Sequence, residues 1–113
     1  MEIDVRFHQL PSSAWLREHV ERRVEEQLGR FRHELDSIEV HVGDLNGPRG
    51  GLDKQVRVTV RGRGLRTASL NAVSDDAYAA VDEAIGRLAE VISRRRERAR
   101  ELATTRRSLR RAG

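Results

Sequence analysis

The stretch Ser74–Ile92, SDDAYAAVDEAIGRLAEVI, most narrows what this chain can fold into. Ala77, Val81, Ala84, Ile85, Leu88 and Ile92 recur at helical spacing, which draws one apolar stripe along about five turns of helix. Ser74 is the expected N-cap, and Asp75 and Asp76 place negative charge at the positive end of the helix dipole. Alanine is frequent in the first half of the stretch, so that half is narrow and can lie close against a neighbour. Beyond Ile92 the stripe fades into SRRRERARELATTRRSLRRAG, where arginine dominates.

The segments before this helix alternate in a way that suits a sheet. Met1 to His8 places Ile3, Val5 and Phe7 on one face and Glu2, Asp4, Arg6 and His8 on the other, the pattern of a half-buried strand. Pro11-Ser12-Ser13 breaks the alternation and offers an N-cap. A helix to about Arg32 follows, with Leu16, Val20, Val24, Leu28 and Phe31 inward. Its outer side carries Glu18/Arg22 and Glu26/Arg30 at the favourable four-residue spacing. Ser37 to Gly43 and Lys54 to Arg61 read as strands that present Ile38, Val40, Val42 and Val56, Val58, Val60 to the core. Asp44 to Asp53, DLNGPRGGLD, reads as a flexible hairpin loop between them. Gly62-Arg63-Gly64 turns the chain into a fourth strand, Leu65 to about Leu70. A two-residue loop would turn Leu65 and Thr67 inward there, and a three-residue bulged loop Ala68 and Leu70.

The order is therefore β-α-β-β-β-α. A right-handed crossover sets the first strand parallel to the second, and the remaining strands form a meander. One apolar face per strand and one stripe per helix put both helices on the same side of a four-stranded sheet, a two-layer α/β (α+β) fold. We expect one domain over residues 1–93, followed by an arginine-rich helical extension or tail over residues 94–113.

The charge divides along the same boundary. Residues 1–93 hold 13 Lys+Arg and 16 Asp+Glu, a balance of −3, and residues 94–113 hold nine Arg and two Glu, a balance of +7. The net charge of +4 thus resides in the tail, which favours a polyanionic partner such as nucleic acid over a neutral small molecule. Arginine supplies 21 of the 22 basic residues, a composition suited to bidentate phosphate contacts. Without cysteine, disulfides, thiolate nucleophiles and cysteine-ligated zinc are all excluded. No apolar run approaches the roughly 20 residues of a membrane span, and no signal peptide opens the chain, so a cytoplasmic location is expected.

Catalytic constellations find no support. His8, His19, His33 and His41 are scattered; His8 and His41 share the open sheet face but lack a third ligand, so no metal is expected. GPRGGLDK has the glycines of a phosphate loop but leads into a strand and lacks the Ser/Thr after its lysine, so no nucleotide cofactor is expected. On the last helix Arg87, Arg94 and Arg98 share a line, with Glu83/Arg87 and Glu90/Arg94 as ordinary i,i+4 pairs beside them. Trp15 and Tyr78 are of a type that stacks on bases, although each stands near a helix start, where packing is the commoner use.

One segment goes further. Asp75-Asp76-Ala77-Tyr78-Ala79-Ala80-Val81-Asp82, followed by Arg87-Leu88 and a basic run, resembles the helix signature of the short ribosome hibernation-promoting factor / ribosome-associated inhibitor A family. The opening strand, Trp15-Leu16-Arg17-Glu18-His19-Val20-Glu21-Arg22-Arg23 and the valine-rich strands follow in that family's order, over about residues 1–96. The resemblance implies a fold like that of double-stranded-RNA-binding domains. It also implies a non-catalytic, ribosome-associated factor that binds the small ribosomal subunit in the mRNA/tRNA channel and silences idle ribosomes under stress in the bacterial cytoplasm. By position it assigns ribosomal RNA contacts to Arg22, Arg23 and Arg30 on the first helix and to Arg87, Arg94, Arg95 and Arg98 on the second. The dimerisation domain of the family's long form is not expected here. The alternative is a binding module of the same fold that acts on another RNA or on a protein. Asp75 and Asp76 would repel a phosphate from the start of the last helix, so RNA contacts are expected from its middle and end.

Overall fold

The computed structural model describes residues 1–45 and 53–112. Its elements are β1 (Glu2–His8), α1 (Ala14–Leu28) with a 3-10 turn over Gly29–Phe31, β2 (Leu35–Asp44), β3 (Lys54–Gly62), β4 (Leu65–Ser74) and α2 (Ala77–Ala112). The strands form one sheet in the order β1-β2-β3-β4, with β1 parallel to β2 and the other two pairings antiparallel. This is the expected β-α-β-β-β-α fold.

Alternation drives the layering. Val5, Ile38, Val40, Val42, Val56, Val58 and Val60 turn to one side of the sheet, and all are at most 4% exposed. Leu16, Val20, Val24 and Leu28 of α1, together with Ala80, Val81, Ala84, Ile85, Leu88, Ala89 and Ile92 of α2, join them in a single buried cluster. Each fully buried Val, Leu or Ile contributes roughly 1.5–3 kcal/mol, so this one-sided cluster holds both helices against the same face. Glu39, His41, Arg57 and Thr59 line the opposite face.

Local chemistry sets the ends of the elements. Ser13 caps α1, its hydroxyl accepting from the Leu16 amide at 3.2 Å. α1 ends at Leu28, and the 3-10 turn brings Phe31 into the core. β4 runs to Ser74, four residues past the expected end, so Asn71–Val73 belong to the sheet rather than to a connection. As a consequence Asp76, not Ser74, caps α2. Its carboxylate accepts from the Tyr78 amide at 3.0 Å, and its carbonyl accepts the first helical bond from Ala80. Ser74 instead accepts from the Asp76 amide at 3.1 Å.

The β3–β4 turn combines the two alternatives left open by the sequence. The loop has two residues, Arg63 and Gly64, with Gly64 at φ +67°. Between the Gly62–Leu65 and Val60–Ala68 pairs, however, β4 holds one residue more than β3. That bulge restores the parity, so Leu65 packs against the core and Ala68, Leu70 and Ala72 still face inward. Beside it Gly62 runs tight against the start of β2: a Cβ there would lie 2.1 Å from the Glu34 carbonyl oxygen. Most of the Asp44–Asp53 loop lies outside the described residues. At its base the Leu45 amide bonds to the Asp53 carbonyl at 2.7 Å, and Lys54 bridges Asp53 at 3.0 Å and Asp44 at 3.3 Å.

α2 continues far past the sheet. At about 1.5 Å per residue its 36 residues span roughly 54 Å, which accounts for most of the molecule's 65 Å long dimension. The radius of gyration, 17.2 Å, exceeds the value of about 13 Å for a compact chain of this length. Among the described residues Ile92 is the last buried core residue, and residues 97–111 are exposed throughout.

Two glycine substitutions separate close packing from helix propensity. Gly62→Ala should lower stability by about 1–3 kcal/mol through its clash with the β2 backbone. Gly86→Ala, where a Cβ meets nothing within 4 Å, should raise it by about 0.5–1 kcal/mol. Urea denaturation with a common slope for all three proteins measures both.

Candidate nucleic-acid interface

The seven arginines expected to contact RNA do not form one surface. On α1, Arg22 makes a hydrogen bond to His19 Nδ1 at 3.2 Å, and Arg23 reaches across to α2. Arg30, in the 3-10 turn, lies over the Phe31 ring at 4.6 Å. On α2, Arg87 pairs with Glu83, Arg95 is half-buried, and Arg94 and Arg98 are exposed. At about 100° per residue, Arg87 stands about 140° around α2 from Asp82, the residue that faces α1. The two helices therefore present their cations on separate lines.

Asp82 is the hub between the helices. Arg23 donates to both its oxygens, from Nε at 2.8 Å and from a terminal nitrogen at 3.3 Å. His19 Nε2 approaches the same carboxylate at 2.7 Å, and Tyr78 meets the His19 ring edge-on at a centroid distance of 5.0 Å. Glu26 takes a further Arg23 nitrogen at 3.1 Å. Partial burial opposes the Asp82 charge, but the Arg23 and His19 hydrogen bonds outweigh it and hold the carboxyl below its ordinary value. Arg23 thus ties the helices together and has little capacity left for a phosphate. Nothing in the local sequence around Arg23 indicates this, because its partner lies 59 residues away.

Several sequence-expected pairs are replaced by others. Arg22, Arg30 and Arg94 have no carboxylate partner among the described residues, so Glu18/Arg22, Glu26/Arg30 and Glu90/Arg94 do not form. Arg32 pairs with Glu25 instead, and Arg96 with Glu34 at 3.0 Å while lying over Phe31 at 5.2 Å. Arg95 donates to the Arg66 carbonyl at 2.9 Å, in the bulged part of β4. Trp15 stands near a helix start, where packing is the commoner use, yet it is 77% exposed.

Neutralisation decides which cations are available. On the open sheet face Arg6 pairs with Asp4 at 2.9 Å and Arg61 with Glu39 at 3.5 Å, while Arg57 donates to Asn71 at 3.1 Å. His8 and His41 stack there, with nitrogens 2.7 Å apart. Among the described residues no group of three or more His, Asp or Glu is placed to hold a metal ion. Among the described residues no helix is long and apolar enough to cross a membrane. Of the nine tail arginines only Arg96 has a carboxylate partner among the described residues. The positive field is therefore concentrated along the exposed part of α2.

The family model described as Sigma 54 modulation protein / S30EA ribosomal protein matches residues 3–100, and the chain belongs to that family. The resemblance to ribosome hibernation-promoting factors drawn from the α2 signature is borne out. Among solved structures the chain is similar to a ribosomal subunit interface protein from Coxiella burnetii, at 27% identity and a TM-score of 0.69, with 86% of this chain and 99% of that chain covered. It also shares the fold of the Protein Y N-terminal domain of Thermus thermophilus, at 22% identity and a TM-score of 0.66, covering 83% of this chain and 98% of that one. No curated protein sequence matches the chain.

The Asp82 hub gives stability a defined pH dependence. Its folded carboxyl titrates below the unfolded value of about 3.8, so its contribution is full above that pH and is lost as pH falls through the folded value. Asp82→Asn should unfold at lower urea than the parent at pH 7, and the gap should close in strong acid. Urea midpoints of the two proteins across that range check the sign.

Proposed function

We propose that this protein binds the small ribosomal subunit in the channel used by mRNA and tRNA and inhibits translation there, holding idle ribosomes in reserve in the cytoplasm under stress. Family membership supports association with the ribosome. The single physical observation that carries the contact is the exposed line of Arg94 and Arg98, which no carboxylate neutralises among the described residues; the arginines beyond them point to other sides of α2 and add unneutralised positive charge. Arg87, Arg94 and Arg98 set position, with Arg87 exchanging Glu83 for phosphate; an exposed pair of this kind is worth at most about 1 kcal/mol, so the exchange is easy. Arg22 supplies a contact from the first helix, and Arg30 one from the 3-10 turn that follows it. Arg23 and Arg95 act indirectly, by holding the helices and the β4 bulge in place.

The role is non-catalytic. Inhibition follows from occupancy: a body about 24 Å by 18 Å in cross-section with a basic rod attached blocks a channel that mRNA and tRNA must share.

Removal of residues 99–113 deletes five arginines and one glutamate but, among the described residues, no buried core residue. The shortened protein should fold, co-sediment with purified small subunits more weakly, show a shallower dependence on salt and keep the same footprint on ribosomal RNA. The double reversal Arg87→Glu/Arg94→Glu should erase the footprint with the tail intact. Absence of the parent protein from the small-subunit fraction at low salt would sink the proposal and favour another RNA or a protein as partner.

A further inference from the structure

We infer that the groove between the β3–β4 turn and α2 binds a phosphate group, presented by a polynucleotide backbone or by a free nucleotide. The groove holds about 470 Å³, within the range of small-ligand sites. Arg63 and Arg66 line it from the hairpin, and Arg95, Arg96 and Arg100 from α2. Glu34 is the single carboxylate in its lining, and Arg96 already engages it at 3.0 Å. Arg95 is committed to the Arg66 carbonyl. Arg63, Arg66 and Arg100 remain exposed, with no carboxylate partner among the described residues.

The fold brings these cations together from positions up to 37 residues apart. The two-residue turn sets Arg63 at the tip of the hairpin, and the bulge re-aims Arg66 beside it. α2, continuing past the sheet, carries Arg100 alongside the same turn. Arg100 is two residues and about 200° of helical turn from Arg98, so this groove lies on the opposite side of α2 from the line proposed to meet the ribosome. Three like charges around one concavity repel each other until an anion sits between them. Guanidinium forks suit the paired oxygens of a phosphate. Leu65 and Ala99, also in the lining, offer an apolar contact for the sugar or base beyond it.

Fluorescence anisotropy of the full chain with a short labelled single-stranded RNA, and calorimetric titration with adenosine triphosphate, test the groove without any ribosome present. Failure of ribosome binding therefore leaves this test intact. Arg63→Glu/Arg66→Glu and, separately, Arg100→Glu should each weaken binding roughly tenfold or more, the scale of losing one or two charge-assisted contacts. Arg6→Glu/Arg57→Glu, on the open sheet face, matches the first change in charge at a distance, and should weaken binding much less. A loss confined to the RNA identifies the ligand as backbone phosphate, and a loss with the nucleotide identifies it as a free nucleotide. An unchanged affinity in the groove variants, or an equal loss in the distant control, overturns the site.

Discussion

One-sided burial governs this structure. The inward side chains of β1, β2 and β3 are nearly all valine or isoleucine, each at most 4% exposed where it meets a helix. A sheet with one apolar face accepts cover on that face alone, so α1 and α2 must share it and lie side by side. Their contact then requires charge to be matched across the helix boundary, which Asp82 does with Arg23 and His19. The layer order, the helix contact and the outward direction of the remaining arginines all descend from that burial.

Charge is distributed according to the same geometry. Within the domain, arginines near carboxylates are drawn into pairs: Arg6 with Asp4, Arg32 with Glu25, Arg61 with Glu39 and Arg87 with Glu83. An acidic balance in residues 1–93 thus does not produce a uniformly acidic surface, because much of it is spent locally. α2 leaves the sheet after Ile92, and beyond that point few carboxylates are available. The helix itself is favoured there by arginine, alanine, glutamate and leucine, all good helix formers, with Arg110 and Arg111 at the negative end of its dipole. A basic helix joined to a domain whose charges are largely paired concentrates positive charge at one end of the molecule.

Different parts of this arrangement were legible to different degrees. Strand and helix faces depend on periods of two and about 3.6, which any contiguous segment displays, so Val40, Val58, Val24 and Ile85 were placed correctly from spacing alone. The α2 signature carried the family, because Asp75–Asp82 and Arg87-Leu88 form one unbroken segment. Element ends were harder. The bulge in β4 changes parity without any local mark, and the extra length of that strand moved the cap from Ser74 to Asp76. Ion pairs were the least legible: i,i+4 spacing permits Glu26/Arg30, but Arg30 lies over Phe31 and Glu26 goes to Arg23.

The sequence by itself determined the layer architecture, the sheet order and the concentration of positive charge at the C-terminal end, which are written in periodicity and composition, and the family, which is written in the unbroken α2 signature. The tertiary structure alone decided which arginines are free. Arg23 is bound to a carboxylate 59 residues away, and Arg95 to a carbonyl exposed by a bulge. Arg63, Arg66 and Arg100 meet only because a hairpin turn and a helix end converge. Coulombic interaction depends on distance in space, and distance in space between remote segments is set by packing, not by any local pattern of residues.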